Sequence, residues 1–97
     1  MTSKVKIESR KMTDEGGKLW WLDYYVRKFD IKTGDRFYGI KIEQRPADSS
    51  LPAMPVSEET KGLTYSYEEA ENWVRQLAAG EATPATFHGH IDDFVGG

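Results

Sequence analysis

Trp20-Trp21-Leu22-Asp23-Tyr24-Tyr25 places four of the chain's twelve aromatic residues on six consecutive positions. A β-strand sends successive side chains to opposite faces, so this run delivers large rings to both sides of a sheet. Around it, residues 18–29 are rich in aromatic and aliphatic types and hold no Gly or Pro, as a long strand requires. Trp20, Leu22, Tyr24 and Val26 form an alternating set without charge until Lys28, which assigns them to the core. Leu19, Trp21, Asp23, Tyr25, Arg27 and Phe29 are assigned to the other face. The charge of Asp23 between two rings predicts that this second face meets solvent or a partner and carries no buried second layer.

Neighbouring segments extend the sheet. Val5 and Ile7 alternate with Lys4, Lys6 and Glu8, predicting a strand over about residues 3–8 with Val5 and Ile7 inward and the charged set outward. The polar stretch Ser9–Gly17 is expected to end that strand, with Gly16-Gly17 as a turn. Ile31-Lys32-Thr33-Gly34-Asp35 has hairpin chemistry and leads into a strand over 36–44. There Tyr38, Ile40 and Ile42 are expected inward, and Phe37, Gly39, Lys41 and Glu43 outward. Pro46, Pro52 and Pro55 make 45–57 a mobile loop, before a possible edge strand at 56–61.

Helical signals follow. Ser66-Tyr67-Glu68-Glu69 has capping-box spacing, in which Ser66 accepts from the Glu69 amide and Glu69 answers back. Ala70, Trp73, Val74 and Leu77 then form an apolar stripe, and Gly80 reads as a left-handed cap, giving a helix over 67–79. Thr83-Pro84 opens a second helix over 84–95 that presents Phe87, Ile91 and Phe94. The expected fold is α+β: a three- or four-stranded antiparallel sheet with two C-terminal helices packed on one face, residues 1–97 forming a single domain.

Composition bounds the function. At 38% apolar and 30% charged, the chain is an ordinary globular sequence. The absence of cysteine removes disulfide and thiol chemistry and fits a reducing compartment. The N-terminus carries no apolar signal segment and no stretch is long enough to span a membrane, so a cytoplasmic location is expected. Residues 1–45 hold eleven Lys and Arg against seven Asp and Glu, whereas residues 46–97 hold two against nine. Such an asymmetry presents two surfaces of opposite sign or draws the two halves together within the fold.

Catalytic signatures are lacking. His88, His90, Asp92 and Asp93 are weak metal candidates, since helical spacing puts His88 with Asp92 and His90 with Asp93 on different faces, which cannot close one site. No nucleophile elbow or phosphate-binding glycine loop occurs. The expectation is a non-enzyme without metal, cofactor or small-molecule ligand. Function is assigned instead to the outward sheet face, with Trp21, Tyr25, Arg27, Phe37 and Lys41 as binding residues, Lys4 and Lys6 lying between the rings. Aromatic and Arg anchors suit a protein partner or a second copy of the chain. The alternative is single-stranded nucleic acid, with bases stacked on the rings, although an acidic pI of 5.3 opposes it. Rings packed under the 45–60 loop or against Lys and Arg stems are a third reading.

Tyr24-Tyr25-Val26, Tyr38-Gly39-Ile40-Lys41-Ile42, Gly62-Leu63-Thr64 and Thr83-Pro84-Ala85-Thr86 followed by Ile91-Asp92-Asp93-Phe94 occur in this order from about residue 18 to residue 95. In these features the chain resembles a small uncharacterised family of clostridia and related Firmicutes, a domain of unknown function. It departs in the longer, Pro-rich 46–57 segment. The resemblance implies a bacterial, cytoplasmic, non-secreted protein and carries over no catalytic or binding residue. Gly39 within a strand suggests a bulge or a close ring packing over it.

Overall fold

The computed structural model describes residues 2–30, 34–47, 56–60 and 62–96. Strands β1 (Thr2–Thr13), β2 (Leu19–Asp30), β3 (Arg36–Pro46) and β4 (Val56–Glu59) form one antiparallel sheet in the order β1-β2-β3-β4. Helix α1 (Tyr67–Ala79) follows, then a 3-10 turn (Pro84–Thr86) running into α2 (Phe87–Gly96). The fold is α+β. Its thinnest dimension, 17 Å, accommodates a sheet and one helical layer but no third.

The core lies between these two layers. Leu22, Tyr24 and Val26 of β2 and Ile40 and Ile42 of β3 meet Ala70, Val74, Leu77 and Ala78 of α1 together with Ala82 and Phe87, all buried. Trp73 and Ile91 pack partly buried against this cluster, so both helices cover the same face. Phe94 and Asp93, expected on α2, have side chains outside the described residues. Trp20 does not join the core. At the end of β2, its indole N–H donates to Asp14 Oδ2 at 3.0 Å and the Lys18 ammonium lies 4.3 Å from its ring.

Three expectations about strands need correction. First, β1 runs on to Thr13, well past residue 8. The register shifts between Lys6 and Glu8, where Ile7 is the extra residue of a bulge. Val5 opposes Val26, but beyond the bulge Glu8 opposes Tyr24, Arg10 opposes Leu22 and Met12 opposes Trp20. Residues opposite one another share a face, so Glu8 stands on the helical side, not outward. The apolar alternation therefore changes from odd to even positions midway, and a single-period reading loses the strand there. Second, β3 includes Arg45 and Pro46, assigned beforehand to the loop, and β4 ends at Glu59. Residues 48–55 of that loop and 31–33 of the hairpin lie outside the described residues. Third, β2 and β3 pair in continuous register through Gly39, so no bulge sits there.

The helix caps also differ in detail. Ser66 Oγ accepts from the Glu69 amide at 3.2 Å, as expected, but the Ser66 amide donates to Thr64 Oγ1 at 3.1 Å and Glu69 does not answer back. At the start of the second helical segment the answering half is present instead: the Thr83 amide donates to Thr86 Oγ1 at 3.1 Å, while the Thr86 amide donates to the Thr83 carbonyl at 3.1 Å. At the end of α1, Gly80 has φ −90° and the left-handed residue is Glu81 at φ 51°. The Glu81 amide donates to the Ala78 carbonyl at 3.0 Å and the Ala82 amide to the Leu77 carbonyl at 2.9 Å, the paired bonds of a Schellman end.

Candidate functional site

With both helices on one side, the other face of the sheet carries no covering element among the described residues. Strand register sets its side chains in rows: Lys11, Trp21 and Arg45; then Ser9, Asp23, Glu43 and Ser57; then Lys6, Tyr25, Lys41 and Glu59; then Lys4, Arg27 and Gly39. These rows hold six basic groups and three carboxylates. The Ile7 bulge creates this arrangement by returning Ser9 and Lys11 to the same face as Lys4 and Lys6.

The centre is polar and closed. Asp23 is 2% exposed, which for a carboxylate requires near-complete compensation. Ser9 Oγ donates to its Oδ1 at 2.6 Å, Arg45 Nε donates to its Oδ2 at 2.8 Å, and Lys6 Nζ lies 3.6 Å from Oδ1. Burial alone would raise the Asp23 pKa. The hydrogen bonds from Arg45 and Ser9 outweigh it and hold the carboxyl below its ordinary range. Asp23 thus acts as a hub tying β1, β2 and β3 together on the uncovered face.

Tyr25 is 8% exposed on the same face. Burial and a hydrogen bond from its hydroxyl to Glu43 both push its pKa up. Burial would raise the Glu43 carboxyl, but the bonds from Tyr25 and Lys4 lower it overall. The Lys4 ammonium pairs with Glu43 at 3.2 Å and sits 4.5 Å from the Tyr25 ring, with Lys6 at 5.8 Å. Trp21 is half-buried between Lys11 at 5.3 Å and Arg45 at 5.7 Å from its ring. The expectation of bare rings is therefore corrected: the molecule's own cations cap them.

Arg27 and Lys41 lie at the far end. Arg27 stands opposite Gly39, and its Nη1 donates to the Thr60 carbonyl at 2.7 Å, while its guanidinium is 4.5 Å from the Phe29 ring. Thr60 adjoins the far side of β3, where its amide donates to the Ile40 carbonyl at 2.8 Å and its hydroxyl accepts from the Ile40 amide at 2.9 Å. To reach it Arg27 must cross β3, and it does so at the one position in that row without a side chain. The residue set opposite Gly39 is thus an Arg, where a ring was expected. Glu59 Oε2 lies 3.4 Å from Arg27 Nε and 3.8 Å from Lys41 Nζ.

Phe37 lies apart from this array. Its ring meets Tyr65 at 4.2 Å between centroids, and the segment 62–64 runs beside β3, with the Leu63 amide donating to the Tyr38 carbonyl and the Tyr38 amide to the Thr64 carbonyl, each at 2.8 Å. A Cβ at Gly62 would come within 2.6 Å of the Phe37 Cβ. Phe37 is thus clamped by its own chain.

On α2, His88 Nε2 lies 3.3 Å from Glu58 Oε2 of β4. Among the described residues no three metal-ligating side chains converge, and His88, His90 and Asp92 are not drawn into one site. Among the described residues no helix is long and apolar enough to cross a membrane.

Sequence reading found the face and four of its six basic groups, Lys4, Lys6, Arg27 and Lys41, but missed Lys11 and Arg45 and the part of Ser9, Glu43 and Glu59 as counterweights. Ser9 stood beyond the expected end of β1. The alternation of sign across the rows becomes visible only once the register is known.

A family model described as a family of unknown function (DUF6514) matches residues 3–97. No curated protein and no solved structure matches the chain.

Proposed function

We infer, for a chain that belongs to the DUF6514 family of unknown function, that it is a small non-enzymatic accessory protein which docks a protein partner on the uncovered face of its sheet. One observation carries this reading: among the described residues all helical cover lies on the opposite side, leaving an array of six basic groups interleaved with three carboxylates over the buried Tyr25 and half-buried Trp21 rings. A fixed pattern of alternating sign suits a protein surface of complementary pattern, which gains specificity and encounter rate from it. A nucleic-acid strand presents charge of one sign and needs rings free to stack, whereas Tyr25 is buried and Trp21 is capped by two cations. Among the described residues the one buried carboxylate, Asp23, is saturated by structural partners, which supports a binding role over catalysis. A bacterial cytoplasm, of the clostridial kind suggested by the resemblance, belongs to the same proposal; a chain without cysteine suits it.

Photo-crosslinking in the native host tests the reading, with the reactive residue at Trp21 or Lys11 and, as a control, at Gln76 on the exposed side of α1. Discrete protein adducts from positions 21 and 11 but not 76 are expected. Adducts from position 76 alone, or nuclease-sensitive adducts from position 21, would overturn it.

A further inference from the structure

We propose that the Lys4, Arg27 and Lys41 end of the sheet face is a carboxylate-binding cleft, and that Glu59 occupies it as an internal placeholder which an acidic segment of the partner displaces. The proposal rests on the docking reading above and supplies its chemistry. Two shallow depressions meet here, one lined by Ser3, Lys4, Arg27, Lys41 and Glu59, the other by Arg27, Phe29, Glu59 and Thr60. They share Arg27 and Glu59, so one concave region surrounds that ion pair.

The cations are held in place. Arg27, with its side chain 16% exposed, is anchored at Nη1 by the Thr60 carbonyl and braced on Phe29, which leaves the rest of its fork directed to a ligand. Lys41 is 19% exposed and fixed within β3. A pre-ordered guanidinium beside an ammonium loses little entropy on binding an anion.

Glu59, by contrast, fits poorly. One oxygen, Oε2, serves both cations at 3.4 and 3.8 Å, whereas a charge-assisted N–H···O bond closes to about 2.7–2.9 Å. Its side chain is 45% exposed at the end of a four-residue edge strand. An exposed pair of this geometry contributes little to stability and is readily exchanged. A carboxylate delivered from outside, free to engage the Arg27 fork with both oxygens, makes the better contact. The recognised class is therefore an Asp- or Glu-rich peptide segment.

Fluorescence anisotropy of a labelled hexaglutamate peptide tests this on the intact protein. Wild type is expected to bind weakly, with affinity falling as salt rises. Glu59→Gln should tighten binding about three- to tenfold by removing the internal competitor. Lys41→Gln and Lys4→Gln should weaken it, while Arg75→Gln, with the same change in net charge but located on α1, should leave it unchanged. Unchanged circular dichroism establishes that each variant is folded. Equal loss in the Arg75 variant, no gain in Glu59→Gln, or preferential displacement by an oligothymidylate would each overturn the cleft. Protein adducts at position 21 without peptide binding would retain the docking face and reject the cleft alone.

Discussion

Glu81 holds a left-handed conformation that disfavours any residue with a Cβ, at roughly 1–2 kcal/mol, while Gly80 beside it has φ −90° and no need of its freedom. The glycine and the strained position are one residue out of step. Glu81→Gly should stabilise the protein by about 0.5–1 kcal/mol, read as a rise in melting temperature of a few degrees. Gly80→Ala should stabilise by about 0.4–1 kcal/mol, since its Cβ would meet nothing closer than the Gln76 carbonyl at 3.7 Å. Gly62 behaves in the opposite way. A Cβ there would come within 2.6 Å of the Phe37 Cβ, an atom that cannot move without its backbone, so Gly62→Ala should cost about 1–3 kcal/mol in urea unfolding. Tyr24, buried with its hydroxyl donating to the Ala82 carbonyl at 2.7 Å, has a pKa pushed up to about 12 by burial, and so remains a neutral donor throughout the physiological range.

At the scale of elements, the Ile7 bulge decides how β1 serves the sheet. Deleting Ile7 should join Lys6 directly to Glu8 and leave every other β1–β2 pair and face in place, because Lys6 and Glu8 already oppose the consecutive residues Tyr25 and Tyr24. Ser9 keeps Asp23 and Val5 keeps Val26, so the expected cost is the lost packing of Ile7 against the core, about 1–3 kcal/mol in urea unfolding, with chemical-shift dispersion along β1 retained. This bulge also marks where the sequence stops being legible. The runs in β2 and β3 keep one alternation throughout, and the core set Leu22, Tyr24, Val26, Ile40 and Ile42 can be read from them directly. The span of α1, 67–79, follows from Ser66 and the apolar stripe, because local capping and helical period agree. Beyond Ile7 the alternation changes phase without Gly or Pro to announce it, and β1 looks like a polar loop. The closed state of Tyr25 was unreadable for a related reason: its cover comes from Lys4, Lys6 and Glu43, on strands whose register no local signal specifies. Trp20 sat on the correct face, but only the position of Asp14 in the turn shows that its indole is held at the margin.

For the whole molecule, the acidic limb of stability should belong to the uncovered face. Asp23 and Glu43 have folded pKa values held below their unfolded ones, so their contribution is complete above the unfolded carboxylate range and is lost as pH falls through the folded values. Urea midpoints should therefore drop between neutral pH and about pH 3, and Asp23→Asn should flatten that slope while lowering stability at neutral pH by about 1–3 kcal/mol. The distribution of charge has a further consequence, for symmetry. The sheet half of the sequence is basic and the remainder acidic. A closed twofold pair formed through the uncovered face would bring a surface with an excess of basic groups against itself. Charge thus favours copies that join front to back, basic face against acidic remainder, as rings or open chains, over a twofold pairing of identical faces.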